Sequence, residues 1–348
     1  MRLIALLLVT AACGPAIASA DPPPASASAA ASGTAPAPAT ATVSATATAT
    51  ARKLHATPLG ERAITGDVRG LAFQTVPELR VAVNVGGALQ VLDSSLRPVQ
   101  LPAHTWRPGD PLLVVGPDAF DAKGGARRDV PIPKSLTCQG RAFSADGSRM
   151  SVDCQDASGD EATHVFDVTT GAEIGVFAEF QTAAPVRSGT ITQSGNFIFW
   201  ASRATGAFEE IKSHVTGPVM SSHSVMSPDE HALFTTVDRN WYSSDTSPAR
   251  MLDPKNGREL FTLPRDVETV VFSPSSRTFA AVHSSRWGDM EHAAPTSRTW
   301  ITIHSLLEPA ALVRLPSEDV ALVAISPGDD RVAVYGGGTL RLYALGAD

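Results

Sequence analysis

The sequence has no excess of basic charge, no catalytic constellation, no metal-ligand spacing and only three cysteines. Each absence narrows the reading. A net charge of −7 argues against nucleic acid as a partner. The nine histidines, among them His214, His223, His231, His283, His292 and His304, show no pattern such as H-E-x-x-H, so they read as surface or core residues and no metal is expected. Asp156-Ala157-Ser158-Gly159-Asp160-Glu161 has oxygen donors, but too few in a defined loop for calcium. The apolar run Leu3 to Val9 is too short to span a bilayer. What remains is a chain of 348 residues, 43 % of them hydrophobic, which is ample for a large core.

Arg2 followed by that apolar run is a signal-peptide pattern over residues 1–20. Two cleavage sites compete. Ala18-Ser19-Ala20 before Asp21 suits ordinary signal peptidase. Thr10-Ala11-Ala12-Cys13 resembles a lipobox, in which Cys13 becomes the acylated N-terminus, although Thr10 stands where lipoproteins usually have Leu. Residues 21–51 are Ala, Ser, Thr or Pro throughout, apart from Asp21, Gly33 and Val43. Such a segment has too little bulky apolar surface to offset its ordering entropy, and is expected to be a disordered tether. At about 3.1 Å per residue it would reach roughly 100 Å, a length that favours Cys13 as a fixed point upstream.

From residue 52 to 348 the composition is globular, and one unit recurs. In its clearest copy, Gly140 to Ser144 is a short strand and Ala145-Asp146-Gly147-Ser148 a tight turn, with Asp and Gly supplying the backbone angles a hairpin needs. Arg149 to Cys154 follows with Met150, Val152 and Cys154 at period two, then a polar loop, a third strand His164 to Val168, and a fourth, Ala172 to Phe177. Related turns follow Ser227, Ser273 and Ser326, each leading into an apolar strand. Weaker copies precede NFIFWA, RVAVNV and PLLVV. The copies align at positions 74, 107, 144, 192, 227, 273 and 326, a mean step of about 42 residues, the size of a four-stranded blade. Second strands apolar on both faces fit blades stacked between blades. The expected fold is therefore all-β: a seven-bladed β-propeller of four-stranded antiparallel blades. The last copy ends in a third strand, Leu340 to Ala344, so the segment from Lys53 to Val68 is expected to supply its outer strand.

Folding the hairpin about Ala145-Asp146-Gly147-Ser148 puts Cys138 and Cys154 on adjacent strands, opposite or one residue out of register. That is near the separation a disulfide tolerates, and an export signal implies an oxidising compartment. The alternative is two buried thiols packed as small hydrophobes.

Val271-Phe272-Ser273-Pro274, the apolar strand after it, Phe166-Asp167 and Leu252-Asp253 at third-strand positions, and the turn Thr169-Thr170-Gly171 resemble the WD40-like propellers of bacteria, over roughly residues 60–348. No Trp-Asp dipeptide stands at the third strand and no Gly-His signature is present, so the resemblance implies the fold without that family's Asp-His networks. Fold alone says little about activity. Ser144-Ala145-Asp146-Gly147 resembles the Asp-box of sialidases but lacks its aromatic. Asp167 to Gly171 is similar to the docking motif of quinone-cofactor propellers, yet Gly175 stands where that motif has Trp. No cofactor is expected.

The loops between second and third strands open on one face of such a ring, and three are long: Gln155 to Thr163, Asp238 to Pro248 and Ser284 to Arg298. The second carries Arg239, Trp241 and Tyr242; the third carries Arg286, Trp287, Asp289, Glu291 and His292. Long loops with aromatics and arginines are typical of binding surfaces. The sequence thus points to a non-enzymatic binding scaffold on the cell envelope. It would be a monomer touching the membrane only through its lipid and presenting these residues to a protein or ligand. A propeller hydrolase or lactonase with a polar site near the central channel is the alternative, and a purely structural envelope lipoprotein a third.

Overall fold

The computed structural model describes residues 53–75, 78–107, 109–155, 159–178, 182–186, 188–194, 197–202, 208–211, 222–237, 248–285, 298–317 and 319–347. The residues read above as signal peptide and tether, with Cys13, lie outside them. The described residues form a β-propeller of antiparallel sheets.

Strand β1 (Leu54–Ala63) belongs to the last blade. The first blade follows, with β2 (Val68–Gln74) innermost, then β3 (Arg80–Val85), β4 (Ala88–Leu92) and the two-residue β5 (Pro98–Val99). Next come β6 (Leu112–Val115), β7 (Asp118–Asp121) and β8 (Arg127–Arg128), a sheet of three strands. Four blades of four strands each then follow in chain order. The first is β9 (Thr137–Phe143), β10 (Arg149–Gln155), β11 (Glu161–Asp167) and β12 (Glu173–Ala178), and the second β13 (Thr182–Pro185), β14 (Gly189–Ser194), β15 (Phe197–Ser202) and β16 (Phe208–Ile211). The third is β17 (Ser222–Met226), β18 (Leu233–Val237), β19 (Ala249–Leu252) and β20 (Glu259–Leu263), and the fourth β21 (Val267–Phe272), β22 (Thr278–Ser284), β23 (Thr299–Ser305) and β24 (Glu308–Arg314). The closing blade is β25 (Val320–Ile325), β26 (Arg331–Gly336) and β27 (Thr339–Ala347), with β1 paired outside β27.

The expectation of seven four-stranded blades is corrected: among the described residues six sheets have four strands, and the β6–β8 sheet falls one strand short. The segment expected to give its first strand, up to Trp106-Arg107, forms no strand. Within it Pro102 removes a ladder donor. His104 and Trp106 hold it elsewhere: His104 Nδ1 lies 2.6 Å from Asp121 Oδ2, and the Arg128 guanidinium sits 4.0 Å from the centre of the Trp106 ring. A second correction concerns the copy before NFIFWA. The segment expected to be a first strand, ending at Ser194, is the second strand β14, because β13 precedes it in the sheet.

Between successive sheets lie buried apolar clusters. Phe234, Met251, Phe272 and Phe279 join β17–β20 to β21–β24; Ile301, Ile303, Val332 and Val334 join β21–β24 to the closing blade; Val81, Val83 and Leu342 join that blade to β2–β5. Fully burying a side chain such as Phe279 contributes about 1.5–3 kcal/mol, so the second strands supply much of the stability. Two glycines set the seam between β2 and the short sheet. A Cβ at Gly70 would stand 2.3 Å from Gly116 N, and one at Gly116 would stand 2.2 Å from Arg69 O, so here backbone packs on backbone.

The turns from first to second strand share one end of the blades. At their αL position stand Gly147, Glu230, Ser276 and Asp329, with φ between 58° and 69°. The three non-glycine residues each reach back to the preceding blade. Glu230 accepts from Ser188 N at 2.8 Å and Ser188 Oγ at 2.5 Å; Ser276 Oγ accepts from Asp229 N at 3.0 Å; Asp329 accepts from Ser275 Oγ at 2.6 Å and Thr278 Oγ1 at 2.8 Å. Gly147 instead packs on the short sheet, where a Cβ would come within 3.1 Å of Val114.

Candidate functional site

Arg239, Trp241, Tyr242, Arg286, Trp287, Asp289, Glu291 and His292 lie outside the described residues. The strands flanking their loops, β18 with β19 and β22 with β23, are second and third strands of their blades, like β10 with β11. All three connections therefore leave from the end opposite the first-to-second-strand turns.

Cys138 on β9 and Cys154 on β10 are directly opposite each other, with Cα atoms 4.0 Å apart, and form a disulfide. It packs among Met150, Val152 and Phe166. In the chain-entropy account, closing a loop of this size stabilises by about 3 kcal/mol.

At the same end as the long connections, side chains from three other strands converge on one carboxylate that the sequence did not single out. Asn84, near the end of β3, is fully buried. Its Nδ2 donates to Val115 O at 3.0 Å and to Asp118 Oδ2 at 2.8 Å, and its Oδ1 accepts from Gly87 N at 3.0 Å. Asp118, at the start of β7, is only 4 % exposed. A charge so buried needs partners. Arg127 from β8 lies 3.2 Å from its Oδ1 and Arg141 from β9 lies 4.0 Å away. Arg127 also meets Asp129 at 3.2 Å. Arg69 from β2 pairs with Asp67 at 2.6 Å; the hydrogen bond and charge of Asp67, and more weakly Asp118, hold its guanidinium above the ordinary value. Two guanidiniums from two neighbouring sheets thus flank one buried acid.

Beside this cluster no first strand pairs with β6 among the described residues, and β2 packs against its Gly116 end instead. Leu112, Leu113 and Val114 are half-buried, whereas the second strands β3, β10, β22 and β26 are buried along most of their length. At the far end of the seam, Gln74 donates through Nε2 to Ala122 O, and its buried Oε1 has no hydrogen-bond partner among the described residues.

A second polar array runs through the β21–β24 blade. Asp266 Oδ1 lies 3.2 Å from His283 Nδ1, His283 Nε2 lies 2.7 Å from Thr302 Oγ1, and His304 Nε2 meets the same hydroxyl at 2.7 Å. Trp300 stacks on His283 and Phe279 on His304. The acid–histidine–hydroxyl order is that of a nucleophilic triad. Burial argues against that use: His283 is 4 %, Thr302 8 % and His304 2 % exposed, and the second histidine occupies the face of the hydroxyl a substrate would need. The array acts as a cross-strand polar clamp. Its signal in the sequence is the alternation Trp300, Thr302, His304, three polar or aromatic residues on one face of β23.

Among the described residues, no group of three His, Cys, Asp or Glu side chains is placed to hold a metal ion. A comparison with protein-family models finds no match for this chain, and a search of curated proteins finds none either.

Proposed function

We propose that this propeller is a non-enzymatic binding module that meets its partner with the end carrying the second-to-third-strand connections. The observation that carries the reading is that Arg127 and Arg141 flank the buried Asp118 at that end, with the Arg69–Asp67 pair on the neighbouring blade. Arginines anchored this way keep part of their donor capacity for a partner while their positions are fixed. Arg239, Trp241, Tyr242, Arg286, Trp287, Asp289, Glu291 and His292, in loops that leave from the same end, would extend this surface. In this reading the protein is an exported WD40-like propeller, held by lipid at Cys13 to the outer membrane and carried on the 21–51 tether.

Site-specific photo-crosslinking tests it. A photoreactive residue placed at Asp129, on the proposed face, should capture a partner in the native envelope. The same residue at Leu307, at the opposite end, should capture none. Equal capture from both positions, or reproducible turnover of esters or lactones by the purified ring, would overturn the proposal.

A further inference from the structure

We infer that Arg128 and Trp106, at the outer strand of the β6–β8 sheet, form a binding site for a carboxylate. The site is separate from the Asp118 cluster and does not rest on the binding reading above.

Three observations converge. First, Arg128 is a half-buried cation without an acidic partner. Its neighbours Arg127 and Asp129 pair with each other at 3.2 Å, and no described acid lies within ion-pair distance of Arg128 itself. Its guanidinium instead lies over the Trp106 ring, 4.0 Å from the centre. Second, two donors of this stacked pair are buried and unanswered. Neither Arg128 Nε nor Trp106 Nε1 has a hydrogen-bond partner among the described residues. A buried N–H without an acceptor is costly, and two on one stacked pair call for an acceptor from outside the chain. Third, the segment carrying Trp106 is tied down on both sides of it. His104 Nδ1 lies 2.6 Å from the fully buried Asp121, and Asp110 accepts from Arg107 N at 2.8 Å and from Lys123 Nζ at 2.7 Å. Trp106 is therefore held in place before any ligand arrives, so little ordering is left for binding to offset.

The shape of the pair selects the ligand. Trp106 occupies one face of the guanidinium and leaves its edge, a planar fork of N–H donors. A carboxylate is planar, sets two oxygens side by side, and is the acceptor that fork matches. It is also small enough to answer the indole N–H of the same pair. Phosphate could meet the same donors only as a bulkier tetrahedral group, and Asp129, next to Arg128 in the chain, opposes its second charge. Arg128 and Trp106 are both half-buried, so the pair can be reached from solvent.

The test uses the full isotope-labelled chain in nitrogen–proton NMR titrations at constant ionic strength. The probes are acetate, the capped tripeptide acetyl-Gly-Glu-Gly-amide, phosphate and chloride. Trp106→Phe identifies the Trp106 indole signal among those of the five tryptophans. Acetate should move that signal saturably and leave the other four in place, with phosphate and chloride binding at least tenfold more weakly. The Arg128 Nε–H signal should follow the same curve, a readout in the unaltered protein that needs no variant to fold. Arg128→Gln should abolish the response. Trp106→Phe, which keeps an aromatic face but loses the N–H, should weaken acetate binding seen at Arg128 at least threefold. Tighter binding of the tripeptide than of acetate assigns the carboxylate to a partner's side chain, and the reverse order assigns it to a small molecule; both support the site. Absence of a saturable shift overturns the inference, as do equal shifts at all five indoles, an undiminished response in folded Arg128→Gln, or phosphate binding as tightly as acetate.

Discussion

Replacing Glu230 by Gly asks whether the turns hold the ring together or merely join strands. Glu230 sits at φ 60°, where a residue with a side chain is about 1 kcal/mol less stable than Gly. Its carboxylate accepts two hydrogen bonds from Ser188 in the preceding blade. Both are solvent-exposed, so about 1 kcal/mol each is the appropriate scale. Glu230→Gly removes about 2 kcal/mol of bonding and recovers about 1 kcal/mol of backbone strain, a net loss of about 1 kcal/mol. Glu230→Ala loses the bonds and keeps the strain, a loss of about 2 kcal/mol. The melting temperature should fall in that order, by about 2–4 °C and then about twice as much. Ser188→Ala combined with Glu230→Gly should be less damaging than the sum of the two, since both remove the Ser188 Oγ bond. The assay is thermal melting of the four variants against the parent. A Glu230→Gly protein as stable as the parent, or more so, would refute the reasoning, because only the strain would then have mattered.

Reducing the Cys138–Cys154 bond, or replacing both residues by Ser, should lower unfolding free energy by about 3 kcal/mol in urea titrations. Acid should weaken the ring through its turns. Burial opposes ionisation of Asp146, but the Ser144 and Ser148 hydrogen bonds outweigh it; likewise Ser227, His231 and Ser276 outweigh burial at Asp229, so both carboxyls lie below the ordinary 3.8. The stability they contribute is complete above that value and is lost as pH falls through their lower folded values; Ser144→Ala with Ser227→Ala should flatten the acid limb of stability measured between about pH 5 and pH 2. Thr302→Val should lower the melting temperature by leaving His283 and His304 without their shared hydroxyl, and should leave partner capture unchanged.

Much of the ring is legible in the sequence because its information is local. Asp146 and Gly147 mark a turn, Met150, Val152 and Cys154 alternate after it, and a last copy ending on its third strand implies an outer partner elsewhere, which is β1. What failed were cases where local chemistry is degenerate. Trp106, Pro108, Gly109 and Asp110 imitate the recurring turn, yet Pro102 removes a ladder donor from the strand it should follow. Ser194-Gly195-Asn196 reads equally well as a turn at either end of a blade, so the β13–β16 register slipped by one strand. The site around Asp118 was invisible for a different reason. Its residues come from five strands, and nothing in the spacing of Arg69, Asn84, Arg127 and Arg141 reports that a missing strand lets them meet.

The pairing of β1 with β27 also governs when the molecule can become itself. Leu54 lies opposite Ala347 and Ala63 opposite Thr339, so the first strand of the ring waits for the last. Bringing ends so distant together opposes closure by about 5 kcal/mol of chain entropy. Such long-range pairing makes folding slow and places it late. Until β27 is available, the unfinished ring has two open flanks and no way to seal them. The fold is then effectively completed in one terminal event, and a chain still being made is kept from closing early.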